Sequence, residues 1–272
     1  MSPAPVPIRA VTTDVWYTLL YLRPRDQRAL EAGRTSAWAD PLRAAGVPAR
    51  RSRSAALELG RWAARQEAKG RTPTIAEQAA WLGARTGVAV PPAPVETALD
   101  ALARRAPVRV APGAKRSLRR LKDRGVRLGI VSNVLHETGA GLRQLLDRAG
   151  LLSPFSSVVL SCEHPWSKPR PEPFRLAVRQ LGVRPREAAH VGDLRYDVDG
   201  ARLAGMRPVL FTGLHPFEPS RLNSLLRPRA RGLDVASDWR GVADLLLGPN
   251  PADDLPGSAL APRPARRRAS DS

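Results

Sequence analysis

Residues 188–197 read AAHVGDLRYD, an apolar run that ends in glycine and aspartate, with a second aspartate four positions after the first. The run is short and bounded by turn residues, and it predicts a buried strand over residues 188–192. Ala201, Leu203 and Ala204 follow as a helical pattern that Asp197 is placed to cap. A strand that leads directly into a helix is the repeating unit of α/β proteins.

The same alternation of strand and helix recurs along the chain. Apolar runs predict further strands at residues 8–14, 127–132, 157–160 and 208–211. Helical patterns that end at Gly125, Gly150 and Gly182 precede three of the predicted strands. We therefore expect an α/β fold, a Rossmann-like parallel sheet with helices on both faces.

The interval from residue 23 to residue 107 breaks this rhythm, because it lacks strong strand signals and carries several helical patterns. One of them begins with capping-box spacing at residues 74–77, and the proline-rich stretch at residues 91–94 predicts a loop. We expect an α-helical cap at residues 23–107, inserted into a core of residues 8–22 and 108–248. Residues 249–272, rich in arginine and proline, predict a disordered tail.

Composition limits the classes of function. The 272 residues carry a formal net charge of +19 and are 43% hydrophobic, too apolar for wholesale disorder. No apolar stretch is long enough to span a bilayer and the N-terminus lacks a secretion signal, so we expect a cytoplasmic enzyme without a membrane partner. Cys162, the single cysteine, cannot form an internal disulfide. All but four of the 44 basic residues are arginine. The positive charge by itself does not identify a binding partner.

Polar residues stand after the predicted strands, at the edge where parallel sheets bind their ligands. They are Asp14 at the end of the first strand, Ser132 and Asn133 at the second, Lys168 after the third, and Asp193 with Asp197 after the fourth. Each alone is ordinary turn, cap or surface chemistry. Together they offer carboxylates, anion-binding groups and a cation, and Mg²⁺ prefers carboxylates together with phosphate oxygens. The set therefore indicates phosphoryl chemistry.

With these residues in this order, the chain resembles the haloacid dehalogenase-like (HAD) hydrolase superfamily, in the group with a helical cap after the first motif. The matching motifs are DVWYTL at residues 14–19, Ser132-Asn133, Lys168-Pro169 and GDLRYD at residues 192–197. The resemblance covers about residues 8–247, loosely in the cap. It implies an α/β core and hydrolase chemistry.

The resemblance also implies roles for single residues. Asp14 would attack phosphorus and form an aspartyl-phosphate, Ser132 and Asn133 would grip the phosphoryl group, and Lys168 would offset its charge. The implied Mg²⁺ ligands are Asp14, the backbone carbonyl of Trp16, Asp193 and Asp197. The substrate would be a small anionic molecule, such as a phosphorylated metabolite.

The first motif departs from the phosphatase pattern at Trp16. Phosphatases of this superfamily usually carry a second aspartate there, which protonates the leaving group and then activates water. An indole has one weakly acidic N–H donor and no basic lone pair, so it cannot replace that aspartate. Because loss of a general acid–base group typically slows turnover ~10²–10⁴-fold, we expect weakened phosphatase activity except on good leaving groups.

Two other functions stay open. The aromatic residue at position 16 resembles 2-haloacid dehalogenases of the superfamily, in which the aspartate attacks carbon and the halide leaves without a proton. The Asp193 loop is phosphatase-like, however, and Phe174 stands six residues after Lys168, where those dehalogenases carry tyrosine. The other alternative is a catalytically silent binding protein that uses its arginine-rich stretches, residues 50–65 and 266–268, to contact an acidic partner. We do not expect nucleic acid as that partner, because no base-stacking aromatic array accompanies the arginines. We expect a monomer or a homodimer.

Several further residues carry weaker signals. Trp38, Trp62 and Trp81 in the cap are expected to be packing anchors rather than substrate stackers. His136 follows the second motif closely enough to be a substitute acid or base, although a lone loop histidine is more often incidental. Thr18 is expected to order the first loop.

Overall fold

A computed structural model describes residues 6–214 and 233–249. The strands in these ranges are β1 (Ala10–Thr13), β2 (Leu20–Tyr21), β3 (Arg109–Val110), β4 (Arg127–Ser132), β5 (Ser157–Leu160), β6 (Ala188–Gly192), β7 (Arg207–Phe211) and β8 (Asp234–Ala236). The helices are α1 (Pro24–Ala44), α2 (Ala49–Ala68), α3 (Ile75–Thr86), α4 (Pro92–Arg105), α5 (Ala114–Asp123), α6 (Gly139–Arg148), α7 (Glu172–Gln180), α8 (Arg195–Ala204) and α9 (Trp239–Leu247).

Six strands form one parallel sheet in the order β5-β4-β1-β6-β7-β8. This confirms the α/β prediction and the five strands expected from the sequence. The edge strand β8 was not predicted, because three residues are too few to show a period. The short antiparallel pair of β2 with β3 was not predicted either.

Helices cover both faces of the sheet. Adjacent strand residues point to opposite faces, so Ile130 belongs to an apolar cluster with residues of α5, α6 and α9, while its neighbour Val131 belongs to a cluster with residues of α7 and α8. Both side chains are at most 1% exposed. The sheet is therefore buried on both sides, as a parallel sheet requires.

Four helices, α1 to α4, lie between β2 and β3, which confirms the predicted helical insertion. They enclose an apolar cluster of their own that contains Trp38, Leu59 and Leu82. Trp62 and Trp81 stack with ring centroids 5.3 Å apart and pack against the same cluster. The three tryptophans are packing residues, as expected.

The prediction of a loop at residues 91–94 was wrong. Pro91 is the N-cap of α4, and Pro92 and Pro94 lie in its first turn. The first N–H groups of a helix have no intrahelical acceptor, so proline loses no hydrogen bond there and its fixed φ suits the helix.

The structure bears on the predicted C-terminal tail and on membrane spans only within the residues that it describes. Residues 250–272 of the predicted tail lie outside the described ranges. None of the helices within those ranges combines the length and the apolar character that a transmembrane span needs.

Candidate active site

The carboxyl ends of the three central strands bring the predicted side chains together. β1 lies between β4 and β6, so Asp14, directly after β1, has Ser132 at the end of one neighbour and Asp193 after the other. The Asp14 N–H donates to the carbonyl of Val191 at 2.9 Å, which extends the sheet pairing to this residue. Asp14, Ser132 and Asp193 are all buried.

Lys168 links two carboxylates from different parts of the chain. Its Nζ donates to Asp14 Oδ1 at 2.7 Å and to Asp197 Oδ1 at 2.6 Å. Asn133 fixes the backbone of this lysine: Asn133 Oδ1 accepts from Lys168 N at 2.9 Å, and Asn133 Nδ2 donates to Lys168 O at 3.1 Å. The loop after β4 therefore sets the position of the lysine.

Asp197 combines the two roles that the sequence left as alternatives. Its Oδ2 accepts from the Leu194 N–H at 2.9 Å and caps α8, while its Oδ1 accepts from Lys168. A Cβ atom at position 192 would lie 2.2 Å from Asp197 Cγ. Gly192 is thus needed for the carboxylate to approach the strand end.

His190 in β6 belongs to the site although the sequence gave it no special weight. Its Nε2 lies 3.1 Å from Asp197 Oδ1 and its Nδ1 lies 2.8 Å from Thr12 Oγ1. Burial lowers the pKa of His190, so the ring is neutral. The tautomer that fits both contacts donates from Nε2 to Asp197 and accepts from Thr12. The available signal was an ionisable residue inside an otherwise apolar strand.

The pKa values of the three aspartates in the site shift in opposite directions. Burial is the largest influence on Asp14 and raises its pKa above the ordinary value, although Lys168 acts to lower it; the charge of Asp197 adds a smaller rise. Burial, Asp197 and Asp14 together raise the pKa of Asp193 well above its ordinary value. Burial also acts to raise the pKa of Asp197, but Lys168 and the His190 hydrogen bond outweigh it and hold this pKa below its ordinary value.

The ammonium of Lys168 stays charged. Burial acts to lower its pKa, but the charges of Asp14 and Asp197 raise it above its ordinary value. Within the described residues, Lys168 is the basic residue that forms ion pairs with Asp14 and Asp197.

The three aspartates form a donor set that suits a divalent cation. Asp14, Asp193 and Asp197 each offer an oxygen, and these oxygens lie within 4.8 Å of one another. Three buried carboxylates face one ammonium, which leaves two negative charges when all are ionised. Buried like charges at this separation need a compensating cation, and oxygen-only donors favour a hard ion such as Mg²⁺.

The loop after Asp14 turns sharply at Tyr17, the residue that follows Trp16. Tyr17 adopts a left-handed backbone with φ 56°, and its hydroxyl donates to Gln27 Oε1 at 2.6 Å on α1. A non-glycine residue with positive φ is a strained feature that is common at functional sites. The Trp16 side chain is half-buried against the core cluster. The indole N–H of Trp239 donates to the Thr18 carbonyl at 2.8 Å, which anchors the end of the loop on α9.

His136, a possible substitute acid or base in the sequence, lies beside the helical insertion. It lines a cavity of about 440 Å³ together with Arg34 and Trp38 of α1. Burial and the charge of Arg34 lower the pKa of His136 to about 3. The ring is therefore neutral at neutral pH, which disfavours the acid role.

The chain is similar to a known protein family and to curated relatives with several activities. A family model described as haloacid dehalogenase-like hydrolase matches residues 8–205. Curated relatives include phosphatases of small phosphorylated metabolites. One of them, the phosphoglycolate phosphatase of Rhodospirillum rubrum, is 35% identical over 158 residues, which cover 57% of this chain and 61% of that protein. The chain spans about half the length of the curated relatives it matches.

Solved structures share the fold but not one activity. A HAD phosphatase from Thermococcus onnurineus aligns with a TM-score of 0.60 at 21% identity, over 89% of this chain and 99% of that one. A 2-haloacid dehalogenase from Pseudomonas syringae aligns with a TM-score of 0.60 at 21% identity, over 88% of this chain and 98% of that one. Architecture alone therefore does not separate phosphatase from dehalogenase chemistry.

Proposed function

Because the chain belongs to the haloacid dehalogenase-like hydrolases, we propose that it is a magnesium-dependent phosphatase that hydrolyses a small phosphorylated metabolite through an aspartyl-phosphate on Asp14. The observation that carries this proposal is the buried cluster of Asp14, Asp193 and Asp197 around Lys168. The phosphatases among its relatives support the same conclusion.

The reaction is a pair of displacements at phosphorus. Asp14 attacks phosphorus and the bond to the leaving oxygen breaks, and the leaving oxygen of an ordinary alkyl ester must gain a proton. Water then attacks the phosphorus of the aspartyl-phosphate, loses a proton and restores the Asp14 carboxylate. Lys168 holds one oxygen of Asp14 at 2.7 Å, which leaves the other to act as the nucleophile.

The remaining side chains bind and orient. The Ser132 hydroxyl and the second amide N–H of Asn133 donate to the phosphoryl oxygens, and Lys168 offsets their charge. The Leu194 N–H and His190 hold the Asp197 carboxylate in place from two directions. Residues 23–107 act as a cap that covers the strand ends and excludes water from the acyl phosphate.

The residues present fit a bound magnesium ion. Asp14, Asp193, Asp197 and the backbone carbonyl of Trp16 would hold Mg²⁺, which reduces the repulsion between the phosphoryl group and the attacking carboxylate. The raised pKa values of Asp14 and Asp193 are consistent with carboxylates arranged for such a cation.

A 2-haloacid dehalogenase is the second candidate, because Trp16 supplies an aromatic group where a phosphatase has an acid. Two observations weigh against it. Attack on the carbon of a haloacid does not require the extra negative charge that Asp193 and Asp197 add to the site. Phe174 is fully buried with its ring 4.8 Å from that of His190, so it packs in the core and offers no hydroxyl.

Phosphate release by the full chain tests the proposal. We expect Mg²⁺-dependent turnover of acetyl phosphate and p-nitrophenyl phosphate, whose leaving groups need little protonation, and loss of turnover in Asp14→Asn. Asp199→Asn is the matched control, because that carboxylate is exposed and pairs with Arg195 at 2.8 Å on α8. Chloride release from 2-chloropropionate without Mg²⁺ would favour the dehalogenase. Wild type and Asp14→Asn that are equally inert on all substrates would favour a silent binding protein.

A further inference from the structure

The proposed reaction needs one group that gives a proton to the leaving oxygen and takes one from water. Position 16 carries an indole, and His136 is held in its neutral form. Neither an indole nor a neutral imidazole is suited to give that proton, which points to an acid elsewhere in the fold for ordinary phosphate esters.

Glu67 is an acid without a structural partner. It lies half-buried in the last turn of α2, and its side chain makes no hydrogen bond or ion pair within residues 6–214 and 233–249. A negative charge in the last turn of a helix is unfavourable, because the carbonyl end of the helix dipole is itself negative. The position of Glu67 therefore does not serve the stability of its helix.

The segment after Glu67 is fixed to the loops of the candidate site. The Ser167 N–H donates to the Gly70 carbonyl at 2.9 Å, and Ser167 directly precedes Lys168. Thr72 Oγ1 donates to Ser161 Oγ at 2.8 Å. That same oxygen of Ser161 accepts from the N–H of Val134, next to Asn133, at 2.8 Å. The end of α2 is thus held against the two loops that carry Lys168 and the Ser132-Asn133 pair.

The surroundings of Glu67 match those of a catalytic acid. Burial raises its pKa to about 7, Lys168 lowers it and Asp14 raises it, so both site residues lie within electrostatic range of this carboxyl. Tyr196 on α8 also lies within electrostatic range, since the charge of Glu67 contributes to the raised pKa of that phenol. A pKa near the working pH is what general acid–base catalysis favours, because both protonation states are then populated.

We propose that Glu67, at the end of α2 that is held against the Lys168 loop, is the general acid–base residue of this site in place of an acid at position 16. The protonated carboxyl gives its proton to the leaving oxygen as the phosphorus–oxygen bond breaks. The resulting carboxylate takes a proton from the water that hydrolyses the aspartyl-phosphate, and both groups return to their starting state. This inference rests on the proposed phosphatase function.

The central experiment compares Glu67→Gln with wild type in the full chain with Mg²⁺. Because p-nitrophenolate leaves without a proton, formation of the aspartyl-phosphate from p-nitrophenyl phosphate should proceed, while its hydrolysis should slow about 10²–10⁴-fold. We expect a burst of about one p-nitrophenolate per enzyme followed by slow turnover, together with a loss of similar size in kcat/KM for glycerol phosphate. The limb of the wild-type pH–rate profile near pH 7 should disappear.

Three further variants test whether the effect of Glu67→Gln is specific to the carboxyl of this residue. Glu58→Gln is the matched control, since Glu58 lies on the same helix and pairs with Arg85 at 3.0 Å. Glu67→Asp keeps an acid on a shorter arm and should retain the pH limb at reduced rate, which keeps the test valid should the amide variant be unstable. Trp16→Asp should restore turnover in the Glu67→Gln background by returning an acid to the first motif.

Titration of the carboxyl gives a readout that does not depend on activity. Carbon-13 NMR of protein labelled at the glutamate carboxyls should show a resonance that titrates near pH 7 and is missing in Glu67→Gln. Unchanged kinetics and an unchanged pH profile in Glu67→Gln, with Asp14→Asn still inactive, would overturn the role of Glu67 and leave the phosphatase proposal standing. Wild type that releases no more phosphate than Asp14→Asn would overturn both.

Discussion

Replacement of Asp193 by asparagine should stabilise the metal-free protein at neutral pH. Asp193 is 6% exposed, and burial, Asp197 and Asp14 raise its pKa well above the ordinary 3.8. An acid whose pKa rises on folding binds its proton more tightly in the native state than in the unfolded chain. Its contribution to stability is therefore complete below pH 3.8 and is lost as the pH rises through the folded pKa. Asparagine has no proton to lose and escapes this penalty.

The size of the effect follows from proton linkage. Each pH unit between the unfolded and the folded pKa costs ~1.4 kcal/mol of unfolding free energy. Between pH 5 and pH 7, wild type should therefore lose up to ~2.7 kcal/mol relative to Asp193→Asn, as long as the folded pKa lies above this window. A metal ion at a concentration about 100 times its Kd would raise the unfolding free energy of wild type by ~2.7 kcal/mol. The rise would be much smaller for a variant that has lost a ligand.

Urea unfolding at pH 5, 6 and 7 measures both effects, with EDTA and then with Mg²⁺. Asp199→Asn is the control, because its exposed carboxylate pairs with Arg195 and lies outside the buried cluster. Stability curves of wild type and Asp193→Asn that stay parallel from pH 5 to pH 7 would refute the reasoning. So would an equal stabilisation of the two proteins by Mg²⁺.

Two further substitutions probe the contacts around Asp197. Lys168→Met should abolish phosphate release and lower the unfolding free energy of the metal-free protein, because Asp14 and Asp197 lose a cation 2.7 Å and 2.6 Å away; urea unfolding that matches wild type would contradict this. His190→Leu removes the ring nitrogens that contact Thr12 Oγ1 and Asp197 Oδ1, and loss of a buried hydrogen-bond partner costs about 1–3 kcal/mol. The same unfolding assay measures that loss, and a change below ~0.5 kcal/mol would show that the histidine contacts add nothing.

The position of most candidate residues could be inferred from the sequence because of a property of parallel sheets. All strands of such a sheet end at one edge, so Asp14, Ser132 and Asp193 had to lie at the same edge if the strand assignments were right. The order β4-β1-β6, which makes them neighbours, is a property of the folded sheet that no single strand pattern contains. The roles of these residues in catalysis remain proposals.

Other features depend on neighbours that a local pattern does not reveal. Prolines at residues 91–94 are compatible with a loop or with a first helical turn, and packing of α4 against α1 and α6 decides for the helix. Glu67 reads as a surface charge on an arginine-rich helix, because only the fold holds the end of that helix against the loop that carries Lys168. His190 acquires its meaning only when Thr12 and Asp197 lie on either side of the ring.

Phosphorylation of the proposed nucleophile is the most direct test of the proposed function. The full chain is mixed with acetyl phosphate and Mg²⁺, quenched in acid and reduced with borohydride, which converts an aspartyl-phosphate to homoserine. Peptide mass spectrometry then locates the product. We expect homoserine at position 14, and its absence from samples without acetyl phosphate. Phosphate release without modification at position 14, or with modification at another acid, would contradict the assignment of Asp14.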